Sequence, residues 1–222
     1  MGDMRDPIVE MEKQIGIIGF GAVGRLLYRT LLDNHYQAEQ IFIFDDNTSD
    51  IENSKCYPFS AFKGSDFRGV WFIPALGYLS GELKFRILEY LVENGCNIFS
   101  FIHPSAFVSP SAAIGRGVLV YSMSNIDNGA SIGDGCIVAN STTIAHDAEI
   151  GDCVYFGANV CVCGEVRIER LSFIGSSATI ANGISIGENC RIGMSSCVTK
   201  DVPDGSSGIG NPFKMKKNIT LY

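Results

Sequence analysis

The chain has 222 residues, of which 46% are hydrophobic and 18% are charged, and its formal net charge is −7. This composition predicts a globular protein of one large or two small domains, and the acidic balance argues against a nucleic-acid partner, which would need a basic face. No apolar stretch approaches the roughly 20 residues of a membrane span and the N-terminal segment has no signal-peptide core, so we expect a cytoplasmic protein with no membrane partner.

A glycine-rich turn is the first recognisable feature along the chain. Residues 14–32 have the pattern of a strand, a turn and a helix, and Gly19, Gly21 and Gly24 fit G-x-G-x-x-G. This spacing lets backbone amides and a helix N-terminus approach a phosphate group. A purely structural use of the glycines, in tight packing of strand against helix, is the alternative.

A second strand, Ile41–Phe44, ends at two adjacent carboxylates, Asp45 and Asp46. Doubly wound nucleotide-binding folds place a carboxylate for the ribose or base at this point. An ordinary solvated turn would also explain the two aspartates.

A third strand, Val70–Ile73, leads to Gly77, and residues 83–92 have a helical pattern. Residues 1–101 are therefore predicted to be an α/β domain with a short Rossmann-like parallel sheet. A glycine turn alone would suggest an NAD(P) dehydrogenase, but the rest of the chain offers no domain for a hydride acceptor.

An aliphatic residue, once replaced by Phe, recurs at every sixth position through the second half of the chain. The positions are Ile102, Val108, Ile114, Val120, Ile126, Ile132, Val138, Ile144, Ile150, Phe156, Val162, Ile168, Ile174, Ile180, Ile186, Ile192 and Val198. Neither the helix period of 3.6 nor the strand period of 2 produces this pattern.

Glycine often follows the aliphatic position, as at Gly115, Gly133, Gly151, Gly157, Gly175, Gly187 and Gly193. We interpret each unit as a short strand and a corner, at which glycine supplies backbone angles that branched residues resist. Three units make one coil of a triangular prism, so residues 18 apart stack at about 4.8 Å. Residues 102–222 are predicted to be a parallel β-helix with a C-terminal tail.

A histidine beside a carboxylate lies within this repeat. His146 can accept a proton from an amine or a hydroxyl group, and Asp147 can orient its ring. Gly164 lies eighteen residues further on, so it should stack on the same corner, where its amide could donate to a developing oxyanion. A solvated corner histidine without a catalytic role is the alternative.

The repeat resembles the hexapeptide-repeat acyltransferase family. The whole layout, with an α/β module, an entry segment Ile102-His-Pro-Ser-Ala106 and a closing Gly210-Asn-Pro-Phe-Lys214, is similar to the NeuD/PglD-like sugar acetyltransferases. The resemblance implies a left-handed β-helix, a homotrimer, and acetyl-CoA lying between neighbouring prisms. The γ-class carbonic anhydrases share the prism but need three histidines around a metal, and here only His103 and His146 are available, so no metal is expected.

The resemblance also implies that the N-terminal domain holds the nucleotide of a nucleotide-linked sugar. The implied substrate-binding residues are Gly21, Ala22 and Val23 at the pyrophosphate or sugar, Asp45 and Asp46 at the base and ribose, and Gly77 closing the pocket.

For the cofactor, the resemblance implies contacts from Tyr155, which replaces a second histidine of PglD-type sites, and from the backbone of Ser176 and Met194. Gly164 would contact the thioester as well as the oxyanion. Lys214, with Lys216 and Lys217, forms a basic cluster that could meet coenzyme A phosphates, although a solvated tail explains it equally.

The predicted function is acetyl-CoA-dependent N-acetylation of a nucleotide-linked amino sugar, by direct attack with His146 as base. No cysteine or serine is paired with a base in a way that would suggest an acyl-enzyme. The alternatives are O-acetylation of a sugar hydroxyl group and, in a different class, a non-catalytic trimeric scaffold.

Overall fold

The computed structural model describes residues 13–47, 51 and 54–216. The chain divides into two compact units, with the boundary between Phe99 and Ser100. No helix among the described residues is both long and apolar enough to cross a bilayer.

The N-terminal unit is a five-stranded parallel sheet in the order β3-β2-β1-β4-β5. Its strands are β1 (Ile15–Ile18), β2 (Ile41–Phe44), β3 (Lys55–Tyr57), β4 (Trp71–Pro74) and β5 (Asn97–Ile98), and its helices are α1 (Ala22–Asp33) and α2 (Gly81–Glu93). Short 3-10 segments cover Ala38–Gln40, Phe59–Lys63, Ser65–Phe67 and Tyr78–Ser80.

Continuous apolar runs explain why the inner strands form. Every residue of β1 and β2 is buried, as expected of parallel strands covered on both faces. Helix α1 buries Leu27, Tyr28 and Leu31, which recur at helical spacing on one side. The predicted Rossmann-like sheet is confirmed, and β3 is an additional edge strand that the sequence analysis did not identify.

The second unit is the predicted β-helix. Each of seventeen two-residue strands ends on one of the seventeen repeat positions. The strands are β6 (Phe101–Ile102), β7 (Phe107–Val108), β8 (Ala113–Ile114), β9 (Leu119–Val120), β10 (Asn125–Ile126), β11 (Ser131–Ile132), β12 (Ile137–Val138), β13 (Thr143–Ile144), β14 (Glu149–Ile150), β15 (Tyr155–Phe156), β16 (Cys161–Val162), β17 (Arg167–Ile168), β18 (Phe173–Ile174), β19 (Thr179–Ile180), β20 (Ser185–Ile186), β21 (Arg191–Ile192) and β22 (Cys197–Val198).

Three parallel sheets form the sides of the prism. We call them the first face (β6, β9, β12, β15, β18, β21), the second face (β7, β10, β13, β16, β19, β22) and the third face (β8, β11, β14, β17, β20). Paired residues are eighteen apart in sequence, as in Thr143 with Cys161, so the predicted coil length is confirmed. The last strands, β23 (Ser207–Ile209) and β24 (Lys214–Met215), extend the first face, with β24 antiparallel to β23.

The repeat positions form the core of the prism. From Ile126 to Val198 all of them are buried, and they pack together along the axis with small residues from the corners. The eight cysteines are free thiols, and three of them, Cys136, Cys153 and Cys190, are buried.

The glycines that follow the repeat positions do not supply unusual backbone angles, so that interpretation was wrong. Positive φ occurs two residues later and mostly at other residue types, among them Ser141, Asp147 and Asn159. A Cβ atom on Gly157 would instead lie 2.6 Å from the backbone nitrogen of Ser176. Glycine is required there because the next coil passes too close for a methyl group.

Gly175→Ala should therefore destabilise the protein, because the new Cβ would lie 2.6 Å from the backbone nitrogen of Met194, which cannot move without shifting a rung. We expect a loss of about 1–3 kcal/mol, typical of overpacking. Gly183→Asn is the control, since Gly183 has a φ of +68° and open space around it, and asparagine tolerates that conformation. Denaturant unfolding followed by circular dichroism measures the stability of both variants. Equal unfolding midpoints for Gly175→Ala and Gly183→Asn would contradict the packing explanation.

Candidate active site

His146 and Asp147 lie at the corner that follows β13, between the second and third faces. We call this corner the second edge. Asp147 has a φ of +58°, and its N–H donates to the carbonyl of Asn128 on the preceding coil at 3.0 Å. This places one oxygen of the Asp147 carboxylate 3.0 Å from Nδ1 of His146.

The hydrogen bond to Asp147 assigns the tautomer of the imidazole. With Nδ1–H donating to the carboxylate, Nε2 of the neutral ring is the free proton acceptor. The side chain of His146 is 50% exposed, so the ring is accessible from solvent.

Carboxylates surround this ring. The Asp147 hydrogen bond raises the pKa of His146, partial desolvation opposes the shift, and the charges of Asp147, Glu165 and Asp127 raise it further. The site thus stabilises the imidazolium more than water does, so the neutral ring is a stronger base than a free imidazole.

Gly164 stacks on His146 from the next coil. A Cβ atom at this position would lie 2.5 Å from Cε1 of His146, so the imidazole occupies the space of a side chain at residue 164. The carbonyl of Gly164 accepts from the N–H of Gly183 at 3.0 Å. Its own N–H donates to no group in the described part of the chain. A proton acceptor and an unengaged N–H donor therefore lie one rung apart.

Apart from Gly164, the predicted cofactor residues of the prism do not lie beside His146. Tyr155 is on the first face, stacked on Phe173 with ring centroids 5.6 Å apart. Ser176 and Met194 occupy successive coils at the corner after the first face, which we call the first edge. Within one chain these residues do not share an edge with His146.

The tail cluster is only partly visible. Lys214 is exposed in β24, Lys216 is exposed beyond it, and Lys217 lies outside the described residues.

The glycine turn of the N-terminal unit separates into packing glycines and an open one. A Cβ on Gly19 would lie 2.5 Å from Cδ2 of Leu76, and one on Gly24 would collide with the carbonyl of Gly19. The structural alternative therefore explains Gly19 and Gly24. It does not explain Gly21, which is exposed at the start of α1 with nothing within 4 Å of its missing Cβ.

The other predicted substrate residues border this open position. Ala22 and Val23 form the first turn of α1, and a Cβ on Gly77 would lie 3.7 Å from Cγ2 of Val23. Gly21, Ala22, Val23 and Gly77 thus meet beyond the carboxyl ends of β1 and β4, where nucleotide ligands bind in open parallel sheets.

The two aspartates differ in their hydrogen bonds. Asp45 accepts from the N–H of Phe20 at 2.6 Å and from the N–H of Asn47 at 2.8 Å, so both of its oxygens hold the backbone. Asp46 accepts from the N–H of Phe59 at 2.8 Å through one oxygen, and its other oxygen has no partner among the described residues. Asp46 is therefore the better placed of the two for a ribose hydroxyl, whereas Asp45 fixes the glycine turn.

Sequence reasoning missed Glu165 and Asp127, the two other carboxylates near His146. Adding eighteen to Asp147 would have identified Glu165. The described residues contain no group of three His, Cys, Asp or Glu side chains that could hold a metal ion.

Comparison with known proteins supports this description of the prism. The sequence model of the family "Hexapeptide repeat of succinyl-transferase" matches residues 165–200. No curated protein sequence is significantly similar to the chain.

Solved structures resemble almost the whole chain. The acetyltransferase domain of PglB from Neisseria gonorrhoeae, also solved with acetyl coenzyme A, is 26% identical with a TM-score of 0.83, and the match covers 92% of this chain and 100% of that one. PerB from Caulobacter crescentus, in complex with CoA and GDP-perosamine, is 26% identical with a TM-score of 0.83 over 92% of this chain and 98% of its own. WeeI from Acinetobacter baumannii shares the fold at 22% identity and a TM-score of 0.81, over 91% and 99% of the two chains.

The chain therefore shares with these acetyltransferases an α/β unit followed by a prism of hexapeptide repeats.

Proposed function

We propose that the protein transfers the acetyl group of acetyl-CoA to the amino group of a nucleotide-linked amino sugar. The observation that carries this proposal is the stacking of the His146 imidazole on the Gly164 backbone, one rung apart on the second edge. The complexes of similar proteins, PglB with acetyl coenzyme A and PerB with CoA and GDP-perosamine, support the choice of donor and acceptor class.

The chemistry follows from the two groups. Nε2 of His146 removes a proton from the acceptor nitrogen, which attacks the thioester carbon. The Gly164 N–H stabilises the oxyanion of the tetrahedral intermediate. The carbon–nitrogen bond forms, the carbon–sulfur bond breaks, and coenzyme A leaves as a thiol after accepting a proton. Asp147 holds the ring in the required tautomer.

The N-terminal unit would bind the nucleotide. An exposed helix N-terminus at Gly21 favours a diphosphate, and Asp46 has an oxygen available for a ribose hydroxyl. The missing side chain at Gly21 leaves room for the phosphate to approach the amides of α1.

A homotrimer is part of the proposal, because the predicted catalytic and cofactor residues lie on different edges of one prism. Ser176 and Met194 on the first edge of one copy could serve His146 on the second edge of its neighbour. Closed symmetric rings use this kind of head-to-tail interface.

His146→Ala should lower kcat by a factor of about 10²–10⁴, the usual effect of losing a general base. His103→Ala is the matched control and should leave kcat unchanged. Release of free coenzyme A in the presence of acetyl-CoA and amino-sugar nucleotides measures the rate. Near-normal turnover by His146→Ala would refute the assignment, and absence of any thioester consumption by the wild type would favour a scaffold.

The pH profile should show the raised pKa of His146. Because the base must be neutral, kcat/KM should fall as the pH drops through that pKa, with an acid limb centred above the ordinary value of 6.5. Asp147→Asn should move this limb to lower pH, since it removes the largest cause of the shift and leaves Asp127 and Glu165 in place. An unchanged limb in Asp147→Asn would show that another group controls the profile.

Gly21→Leu should abolish nucleotide-sugar binding at little cost to the free protein, because nothing lies within 4 Å of the new Cβ and only the N-cap preference for glycine is lost. Melting curves with GDP-, UDP- and dTDP-linked sugars test this, since a ligand at 100 times its Kd adds about 2.7 kcal/mol of stability to the wild type. Arg29→Leu, which adds an exposed leucine further along α1, should keep the ligand-induced shift. Retention of the shift by Gly21→Leu would place the nucleotide elsewhere.

A further inference from the structure

We infer that Glu165 binds the acceptor as an ammonium ion and so selects an amine over a hydroxyl group. The inference rests on the proposed function and concerns one side chain to which that function gives no role.

Glu165 stands directly beside the reacting groups. It follows Gly164, and its N–H donates to the carbonyl of His146 at 3.0 Å, which places it one rung beyond Asp147 on the second edge. Its side chain is exposed, as is the ring of His146. The carboxylate therefore has access to a ligand that approaches Nε2.

Four successive members of the column that contains Glu165 are Gly129, Asp147, Glu165 and Gly183, all with positive φ. The two glycines leave bare the rungs directly on either side of the two carboxylates. Asp147 is on the coil of His146 and Glu165 is on the coil of Gly164, so the two rungs of the candidate site each carry one carboxylate.

The two carboxylates are used differently. Asp147 is bound to Nδ1 of His146, whereas Glu165 makes no ion pair with the described residues. The nearest cation along the chain, Arg167, is already held by two hydrogen bonds to Glu149, at 2.8 and 2.9 Å. Glu165 is therefore an unneutralised carboxylate beside a base.

An unneutralised carboxylate distinguishes the two acceptors. A primary alkyl amine is largely protonated in neutral water, and a carboxylate attracts this cation through a charge-assisted hydrogen bond. A hydroxyl group is neutral and gains much less. Once bound, the ammonium group loses one proton to Nε2 of His146 and attacks the thioester as the free amine. The same negative charge stabilises the imidazolium that results. As the carbon–sulfur bond breaks, a second proton passes from the nitrogen to the departing thiolate, and His146 then releases its proton to solvent.

The test compares Glu165→Gln with wild type, using GDP-perosamine and its 4-hydroxy counterpart, and the analogous UDP-linked pair, as ligands in titration calorimetry at pH 7. We expect the Kd of the amino sugar to rise about tenfold in the variant and the Kd of the hydroxy sugar to stay within about twofold. Glu165→Asp should recover part of the difference. Glu169→Gln removes an exposed carboxylate four residues away and should change neither Kd.

The inference would be overturned if Glu165→Gln changed the Kd of the amino sugar and of its hydroxy counterpart equally, or changed neither. It would also be overturned if the wild type bound none of these sugar nucleotides. Steady-state assays separate it from the proposed function. A wild type that binds amino sugars without acetylating them refutes the acetyltransferase assignment, while the amine-to-hydroxyl contrast in Kd still decides the role of Glu165. In an active enzyme, KM for the amino sugar should rise with little change in KM for acetyl-CoA.

Discussion

The close contact between successive coils is the constraint on which the prism and its candidate site depend. A rung leaves so little space that a single methyl group on Gly157 or Gly175 would meet the backbone of the next coil at 2.6 Å. The pairing register between coils therefore cannot slip, and residues whose numbers differ by a multiple of eighteen stack on one another. The same constraint lets a glycine at residue 164 hold an imidazole against its backbone. The candidate site uses the repeat's own geometry without an inserted loop.

The prism could be predicted from sequence because the axis demands one apolar side chain every six residues, and each of those positions is visible in the chain. The inner strands β1 and β2 were predictable for a similar reason, since they are buried on both faces and read as unbroken apolar runs. The edge strand β3 was missed because Lys55–Tyr57 is partly exposed and carries no such run. The reason for the repeat glycines was also missed, since a close approach from the next coil leaves no mark in local sequence.

The site residues, too, divide into those that could be predicted from the sequence and those that could not. His146 and Gly164 could be paired by arithmetic alone, because both lie within one regular register. The hydrogen bond from Phe20 to Asp45 could not be predicted, since it joins two loops whose separation depends on how β1 and β2 pair. Gly19, Gly21 and Gly24 fit one motif equally well in sequence. Only the surrounding atoms show that two of them are needed for packing and that Gly21 is left open.

Gly164 differs from the other repeat glycines in what its missing side chain avoids. Gly175 avoids a backbone atom, which is fixed by the rung above it, whereas Gly164 avoids the ring of a half-exposed histidine, which can rotate away. A side chain at residue 175 must therefore strain the fold, but one at residue 164 need only displace the imidazole. Stability alone does not require glycine at that position, whereas a base held over an unengaged amide does. The fold thus tolerates alternatives at residue 164 that the proposed chemistry excludes.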